Sequence, residues 1–167
     1  MSKSNCEVSV VMGSGSDFTL VEKTLKTLEY FGVKADVHVI SAHRTPLKAA
    51  EFASSAEENG TKIIIAAAGK AAHLAGVIAG HTLLPVIGLP VKSSFCDGLD
   101  SLLSVVQMPK GIPVATVAVD GAENAAVLAV QILSLSDRSL RRKLSEFKQK
   151  MISDTEKADA EIKGRLV

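Results

Sequence analysis

An uninterrupted apolar run near the middle of the chain constrains the fold most strongly. Residues 62–68 read Lys-Ile-Ile-Ile-Ala-Ala-Ala, and Gly69 follows them. A strand without polar alternation is typical of the centre of a parallel sheet that helices cover on both faces. We therefore expect an α/β fold with this strand in its interior.

Other short apolar runs alternate with helical patterns along the chain. Strands are predicted over residues 8–12, 35–40, 62–68, 85–89 (where Pro90 is expected to end the strand) and 113–119. Helices are predicted over 20–31, 46–59, 71–80, 99–106 and 122–135. Strictly alternating strands and helices predict a three-layer α/β/α sandwich with a parallel five-stranded sheet.

The end of the chain has a different pattern. From Asp137 onward, Leu140, Leu144, Phe147 and Met151 recur at helical spacing among many charged residues. This predicts an extended amphipathic C-terminal helix over about 137–155, whose apolar stripe packs either on the same chain or on a neighbouring subunit. A length of 167 residues suits a single domain (1–167) with its core over about 7–135.

The composition of the chain disfavours several kinds of binding partner. The formal net charge is +1, so no overall basic field predicts binding to nucleic acid or to a membrane surface. Aromatic residues make up 4% of the chain, which disfavours a site that stacks a flavin. The polar start of the chain carries no apolar signal region, so a cytoplasmic location is the default expectation.

Polar loops follow three of the predicted strands, where parallel sheets place their ligands. In the first, Gly13 and Gly15 allow backbone N–H groups to approach a phosphate or carboxylate, and Ser14 and Ser16 add hydroxyl donors. Asp17 suits ribose hydroxyl groups, because a carboxylate only accepts hydrogen bonds. The alternative is a plain turn in which Ser16 or Asp17 caps the next helix.

The second loop, residues 41–46, carries a cation and a proton carrier together. Arg44 can grip a phosphate with two donors, Ser41 can donate to it, and His43 is a candidate proton shuttle. Thr45 is a plausible N-cap with Pro46 at the first helical position. The alternative is a surface loop with a capping threonine and a solvated arginine.

The third loop, residues 66–76, is rich in small residues, which leave room for a flat ring against the backbone. His73, predicted one turn into a helix, is either catalytic or a histidine held in a packing face. Lys70 meets an anion or faces water.

Other chemistries fit poorly. The four histidines lack metal-ligand spacing, and no Gly-x-Ser-x-Gly nucleophile motif is present. Cys96 stands beside Asp97, which disfavours a reactive thiolate.

At these loops the chain resembles the N5-carboxyaminoimidazole ribonucleotide mutases, the class I form of the bacterial aminoimidazole ribonucleotide carboxylase family. The resemblance covers about residues 8–135. The stretches that carry it, in the family's order, are 12–17, 41–46, 68–76, 84–90 and 98–109 with 111–116.

The resemblance implies a flavodoxin-like sandwich, a homo-octamer and no metal or organic cofactor. It implies interconversion of N5-carboxyaminoimidazole ribonucleotide and 4-carboxy-aminoimidazole ribonucleotide in purine biosynthesis. By position it makes His43 the general acid/base and places His73 beside the transferred carboxyl group. The resemblance assigns substrate binding to Ser14, Asp17 and Arg44, with Ser16 and Ser41 helping to hold the phosphate and the backbone of Gly69 lining the pocket. We expect Lys70 and Leu74, in the same loop as Gly69, to be substrate-binding residues as well.

Two positions depart from the family pattern, which usually has Gly at 70 and Pro at 75, where this chain has Lys70 and Ala75. Class II enzymes, which use free CO2, typically have Lys where this chain has Arg44 and lack the His73-Leu74 pair. The alternatives are a CO2-dependent aminoimidazole ribonucleotide carboxylase, a non-catalytic nucleotide-binding module, and a structural protein that assembles through its helical tail.

Overall fold

The computed structural model describes residues 6–165. Five strands are present: β1 (Val8–Met12), β2 (Ala35–Val39), β3 (Ile63–Gly69), β4 (Val86–Val91) and β5 (Ala115–Thr116). The helices are α1 (Phe18–Tyr30), α2 (Pro46–Ser55), α3 (Leu74–Ala79), α4 (Leu99–Val106), α5 (Ala122–Leu133) and α6 (Arg138–Gly164). The contacts divide the chain into two compact units, with the boundary between Ala129 and Val130.

All strand pairs of the first unit are parallel, and the strand order is β2-β1-β3-β4-β5. This is the order of the flavodoxin-like doubly wound folds. The predicted parallel five-stranded sheet is therefore confirmed. The apolar run of residues 63–68 is buried throughout as β3, which lies at the centre of the sheet.

Alternate residues of the strands pack on opposite sides of the sheet. On one side, Val11, Ile64 and Val86 lie in a buried cluster with residues of α2, α3 and α4. The buried stripe of α1 and the buried start of α5 belong to the other side, where the Thr24 hydroxyl donates to the Ala122 carbonyl at 3.0 Å. The expected α/β/α sandwich is thus observed.

Two strand predictions need correction. Pro90 does not end β4: the strand continues to Val91, with Pro90 opposite Ala68 in the parallel register. A proline is tolerated there because β5 pairs only with Ile87 and Gly88 of β4, so no ladder on that side requires its missing N–H. The segment 113–119 forms only the two-residue strand β5, at the edge of the sheet.

The second unit contains the end of α5 and the long helix α6. The Asp137 carboxylate caps α6 by accepting from the backbone N–H groups of Ser139 at 2.7 Å and Leu140 at 3.3 Å. The hydrogen bond from the Ser139 hydroxyl and these N–H bonds hold the pKa of Asp137 below its usual value. The helix runs to Gly164 rather than to about 155, and a Lys163–Asp159 ion pair lies in its last turns.

Candidate active site

The polar loops that follow β1, β2 and β3 meet at the carboxyl edge of the sheet. Because β2 and β3 lie on opposite sides of β1, the chain leaves the neighbouring strands β1 and β3 toward opposite faces of the sheet, which opens a crevice at this switch point. A cavity of about 680 Å³ occupies the crevice. Ligand pockets for small molecules span roughly 300–1,000 Å³, so a nucleoside monophosphate fits.

The loop after β1 presents hydroxyl groups and backbone N–H groups to the cavity. Ser14 caps a single 3-10 turn by accepting from the Ser16 N–H at 3.3 Å, and the Ser16 hydroxyl donates to Ser14 at 2.8 Å. Asp17 stands at the N-cap position of α1 but makes no side-chain capping bond. The capping alternative for Asp17 is therefore wrong, and its carboxylate is left for other partners.

The glycines of this loop are not required by the packing of the protein. A β-carbon at Gly13 would meet nothing closer than 3.9 Å, and one at Gly15 would meet nothing within 4 Å. Neither glycine has a positive φ. Their small size therefore leaves the backbone of this loop open to a ligand, and Gly13 lines the cavity.

Arg44 ties the second loop to the first. Its Nη2 donates to the Gly13 carbonyl at 2.7 Å, and its Nε donates to the Ser41 hydroxyl at 3.3 Å. A guanidinium has five N–H donors, so three remain for an anion in the cavity. The arginine is therefore oriented by two neighbours rather than free in solvent, contrary to the solvated-arginine alternative.

Thr45 does not cap α2 as expected from the sequence, although it occupies the N-cap position and Pro46 begins the helix. Its hydroxyl instead donates to the Ser41 carbonyl and accepts from the Ser41 N–H, both at 3.0 Å. These bonds close the loop upon itself. The threonine thereby fixes the backbone that presents Ser41, His43 and Arg44.

Two histidines meet at the cavity wall although 30 residues separate them. Nε2 of His43 and Nδ1 of His73 are hydrogen-bonded at 2.9 Å, with the two rings nearly perpendicular. One nitrogen of the pair must carry the hydrogen and the other must accept it. When the outer nitrogen of one ring takes up a proton, the shared proton can cross the bond and the outer nitrogen of the other ring can release its own, so the pair can act as an acid or as a base.

Asp17 is the carboxylate of the cavity wall. Desolvation raises the pKa of Asp17 above its usual value, while hydrogen bonds from Ser16 and Ser14 and the charge of Arg44 oppose the rise. A partly desolvated carboxylate that keeps unused lone pairs is a strong acceptor for ligand hydroxyl groups.

The third loop differs from its sequence prediction. α3 begins at Leu74, so His73 stands at the N-cap position instead of one turn into the helix. His73 is exposed and bonded to His43, which excludes the interpretation of a histidine buried in a packing face. Lys70 adopts a φ of +58°, a conformation rare for residues with a side chain.

Every residue assigned to the site from the sequence lines this one cavity. The structure adds a fourth segment, residues 91–94, which begins at the last residue of β4 and was not predicted as part of the site. The same rule, that ligands lie beyond the carboxyl ends of parallel strands, could have found it. With the strand predicted to end at Leu89, the sequence does not indicate that residues 91–94 lie at its carboxyl end.

Within residues 6–165, no group of three or more His, Cys, Asp or Glu side chains has an arrangement that could hold a metal ion. None of the helices in that range combines the length and the apolar character needed to cross a membrane.

The fold and the cavity define a doubly wound α/β protein with an anion- and nucleotide-sized site at its switch point. The AIR carboxylase family model matches residues 7–154, and the chain belongs to that family. It is 53% identical over 145 residues to a protein of Pyrococcus abyssi named N5-carboxyaminoimidazole ribonucleotide mutase, covering 87% of this chain and 83% of that protein.

Two further comparisons bear on the site. The chain is 50% identical over 139 residues to the Vigna aconitifolia protein named phosphoribosylaminoimidazole carboxylase, chloroplastic; the match covers 83% of this chain and 25% of that protein. It is also similar to the crystal structure of Treponema denticola PurE, with a TM-score of 0.84 and 28% identity. That match covers 92% of this chain and 96% of the other.

Proposed function

We propose that this protein is an N5-carboxyaminoimidazole ribonucleotide mutase, which moves the carboxyl group of its substrate from the exocyclic nitrogen to C4 of the imidazole ring. The observation that carries the proposal is the His43–His73 hydrogen bond at 2.9 Å, in the wall of a nucleotide-sized cavity. A chain of the AIR carboxylase family that holds such a pair has the proton carrier that the reaction needs.

In this proposal the substrate phosphate lies between the first two loops. The three unused donors of Arg44 and the hydroxyl groups of Ser14, Ser16 and Ser41 face it. The open backbone beside Gly13 and the start of α1 add N–H donors and the positive end of the helix dipole. Asp17 accepts from the ribose hydroxyl groups.

The imidazole ring then lies toward the third loop, against Gly69, Leu74 and the histidine pair. The small residues at the end of β3 support this placement, since Ala68 and Gly69 leave space for a flat ring. A β-carbon at Gly69 would come within 3.3 Å of the Val91 carbonyl oxygen, so the backbone here is held closely against β4.

The chemistry balances with one proton carrier. The C–N bond to the carboxylate breaks, its electron pair passes to the aminoimidazole, and the nitrogen takes a proton from His43 as CO2 leaves. The electron-rich C4 attacks CO2, and His43 removes the C4 proton, which restores the histidine pair. Confinement of CO2 in the cavity matters because the two fragments must recombine before CO2 diffuses away.

We also propose that the chain is a single domain and that it acts in the cytoplasm. As the resemblance implies, it would act in purine biosynthesis, use no metal or organic cofactor, and assemble as a homo-octamer. Exposed apolar side chains support assembly: Leu99, Leu103 and Val106 form a half-exposed stripe on α4, and Leu83 is 97% exposed. The mass measured by sedimentation equilibrium tests it: eight chains are expected, and a monomer would contradict the assembly.

A second candidate is a carboxylase that draws CO2 from solution. The similarity to the Vigna aconitifolia protein, whose name states a carboxylase, favours keeping it. Both candidates use the same cavity and differ in the origin of the carboxyl carbon.

A histidine substitution tests the proposed activity. For His43→Asn we expect turnover of N5-carboxyaminoimidazole ribonucleotide to fall by about 100- to 10,000-fold, the usual contribution of a general acid/base. The dissociation constant for 4-carboxy-aminoimidazole ribonucleotide should change little. His81→Asn is the matched control, because His81 is exposed and outside the cavity lining. If His43→Asn retained most of its turnover, the acid/base role would be wrong.

A further inference from the structure

Lys70 holds an unfavourable backbone conformation at the wall of the cavity. Its φ of +58° lies in the left-handed region, which glycine adopts without cost and side-chain-bearing residues avoid. The residues on both sides of Lys70 are closely packed. Gly69 lies against Val91, and the buried Ala72 and Leu74 follow within one turn. Strained residues of this kind are concentrated at functional sites.

Three cations line the cavity, and two of them have partners. Arg44 bonds to Gly13 and Ser41, and the Lys92 ammonium pairs with the Asp97 carboxylate at 3.0 Å. Lys70 makes no side-chain hydrogen bond or ion pair with any residue in the described range 6–165. Among the described residues that line the cavity, its ammonium group is therefore the cation without a protein partner, and all of its donors remain for an anion.

We infer that Lys70 binds the carboxylate of the nucleotide, and so makes this site favour carboxylated over decarboxylated aminoimidazole ribonucleotide. The inference rests on the proposed function and adds a specificity-determining residue to it. The phosphate has its own donors in the first two loops, whereas Lys70 lies in the third loop with His73, beside the imidazole ring of the proposed arrangement. The carboxylate is the second anion of the substrate and the one at that end.

An ammonium group at this position can bind the carboxylate of the substrate and that of the product. The carboxylate is charged when it is bound to the nitrogen and again when it is bound to C4, but CO2 and the aminoimidazole intermediate carry no carboxylate. Lys70 therefore stabilises substrate and product relative to the intermediate pair. Its signature is a difference in affinity between 4-carboxy-aminoimidazole ribonucleotide and aminoimidazole ribonucleotide, two ligands that share the phosphate, the ribose and the ring.

Titration calorimetry of both ligands against the full chain tests the inference. Lys70→Met removes the charge while retaining the side-chain length and the backbone strain. We expect its dissociation constant for the carboxylated ligand to rise about tenfold, as for the loss of one charged hydrogen bond. The constant for aminoimidazole ribonucleotide should stay within about twofold of wild type, and Lys70→Arg should restore the preference.

Two further variants separate charge from strain. Lys70→Gly removes both, so it should match Lys70→Met in losing the preference. Lys34→Met removes an exposed charge just before the opposite end of β2 and should leave both constants unchanged. A wild-type preference in Lys70→Gly, or equal weakening of both ligands in Lys70→Met, would overturn the inference.

The experiments distinguish a wrong inference about Lys70 from a wrong proposed function. A wild-type protein that prefers the carboxylated ligand through Lys70 but does not interconvert the substrates would contradict the mutase and support the inference. A wild-type protein that binds neither nucleotide would overturn both.

Discussion

Gly88 of β4 is the position where one added methyl group should disturb the core most. A β-carbon there would lie 2.3 Å from Cγ1 of Val105 and 2.9 Å from Cγ1 of Val114. Non-bonded carbons rest at roughly 3.5–4.0 Å, so Gly88→Ala must displace Val105 by more than about 1 Å. Valine has few alternative rotamers, and Val105 is the α4 residue that lies in the buried cluster on this face of the sheet.

The magnitude follows from two opposing effects. Overpacking costs about 1–3 kcal/mol, and the loss of a flexible glycine from the unfolded chain returns about 0.5–1 kcal/mol. With the contact at 2.3 Å we take the upper part of the range, a net loss of about 2 kcal/mol. For a chain of this size that corresponds to a fall in Tm of about 4–8 °C.

Thermal unfolding followed by circular dichroism measures the effect, and Gly13→Ala is the matched control. A β-carbon at Gly13 meets only ordinary contacts at 3.9 Å, so its Tm should change little while ligand binding weakens, because Gly13 lines the cavity. An unchanged Tm for Gly88→Ala, or an equal fall for Gly13→Ala, would show that these distances do not govern stability.

Three further predictions concern single polar side chains. Thr61→Val leaves the buried Ser9 hydroxyl without its 2.7 Å partner and should cost about 1–3 kcal/mol in urea unfolding; no loss would mean that Ser9 finds another partner. Folding raises the pKa of Asp17, so the protonated carboxyl group is favoured in the folded state. This stabilises the protein fully at pH values below the ordinary pKa of 3.8, and the stabilisation is lost as the pH rises through the folded-state pKa. Asp17→Asn should therefore have a higher Tm than wild type at pH 7 and an equal Tm near pH 3, and a lower Tm at pH 7 would contradict this sign. Arg44→Ala should weaken binding of 4-carboxy-aminoimidazole ribonucleotide by about 10- to 100-fold, and an unchanged dissociation constant would remove Arg44 from the phosphate site.

The strands that are buried on both faces were predictable from the sequence. β1 and β3 are runs of apolar residues that end at a glycine, and the structure matches β1 residue for residue. The edge strand β5 was predicted too long, because an apolar run gives no sign of how far its neighbour pairs with it. The continuation of β4 past Pro90 likewise depends on β5, which does not pair with β4 at that residue.

The residue types of the site could be predicted, but their contacts could not. Loop position and side-chain chemistry pointed to His43 and His73 separately. Their hydrogen bond joins the loops that follow β2 and β3, two strands that β1 separates in the sheet. No local sequence pattern encodes such a contact. Thr45 shows the converse case, since its sequence context favoured a helix cap and the structure uses its hydroxyl to close the loop. The strain at Lys70 likewise appears only in the backbone geometry.

The origin of the carboxyl carbon tests the central claim most directly. The pure protein is incubated with N5-carboxyaminoimidazole ribonucleotide that carries a labelled carboxyl group, in unlabelled bicarbonate buffer, and the product is analysed by mass spectrometry. We expect the label to be retained in 4-carboxy-aminoimidazole ribonucleotide, as a mutase that confines its CO2 requires. Product that carries only carbon from the buffer would contradict the mutase and identify a carboxylase that uses free CO2.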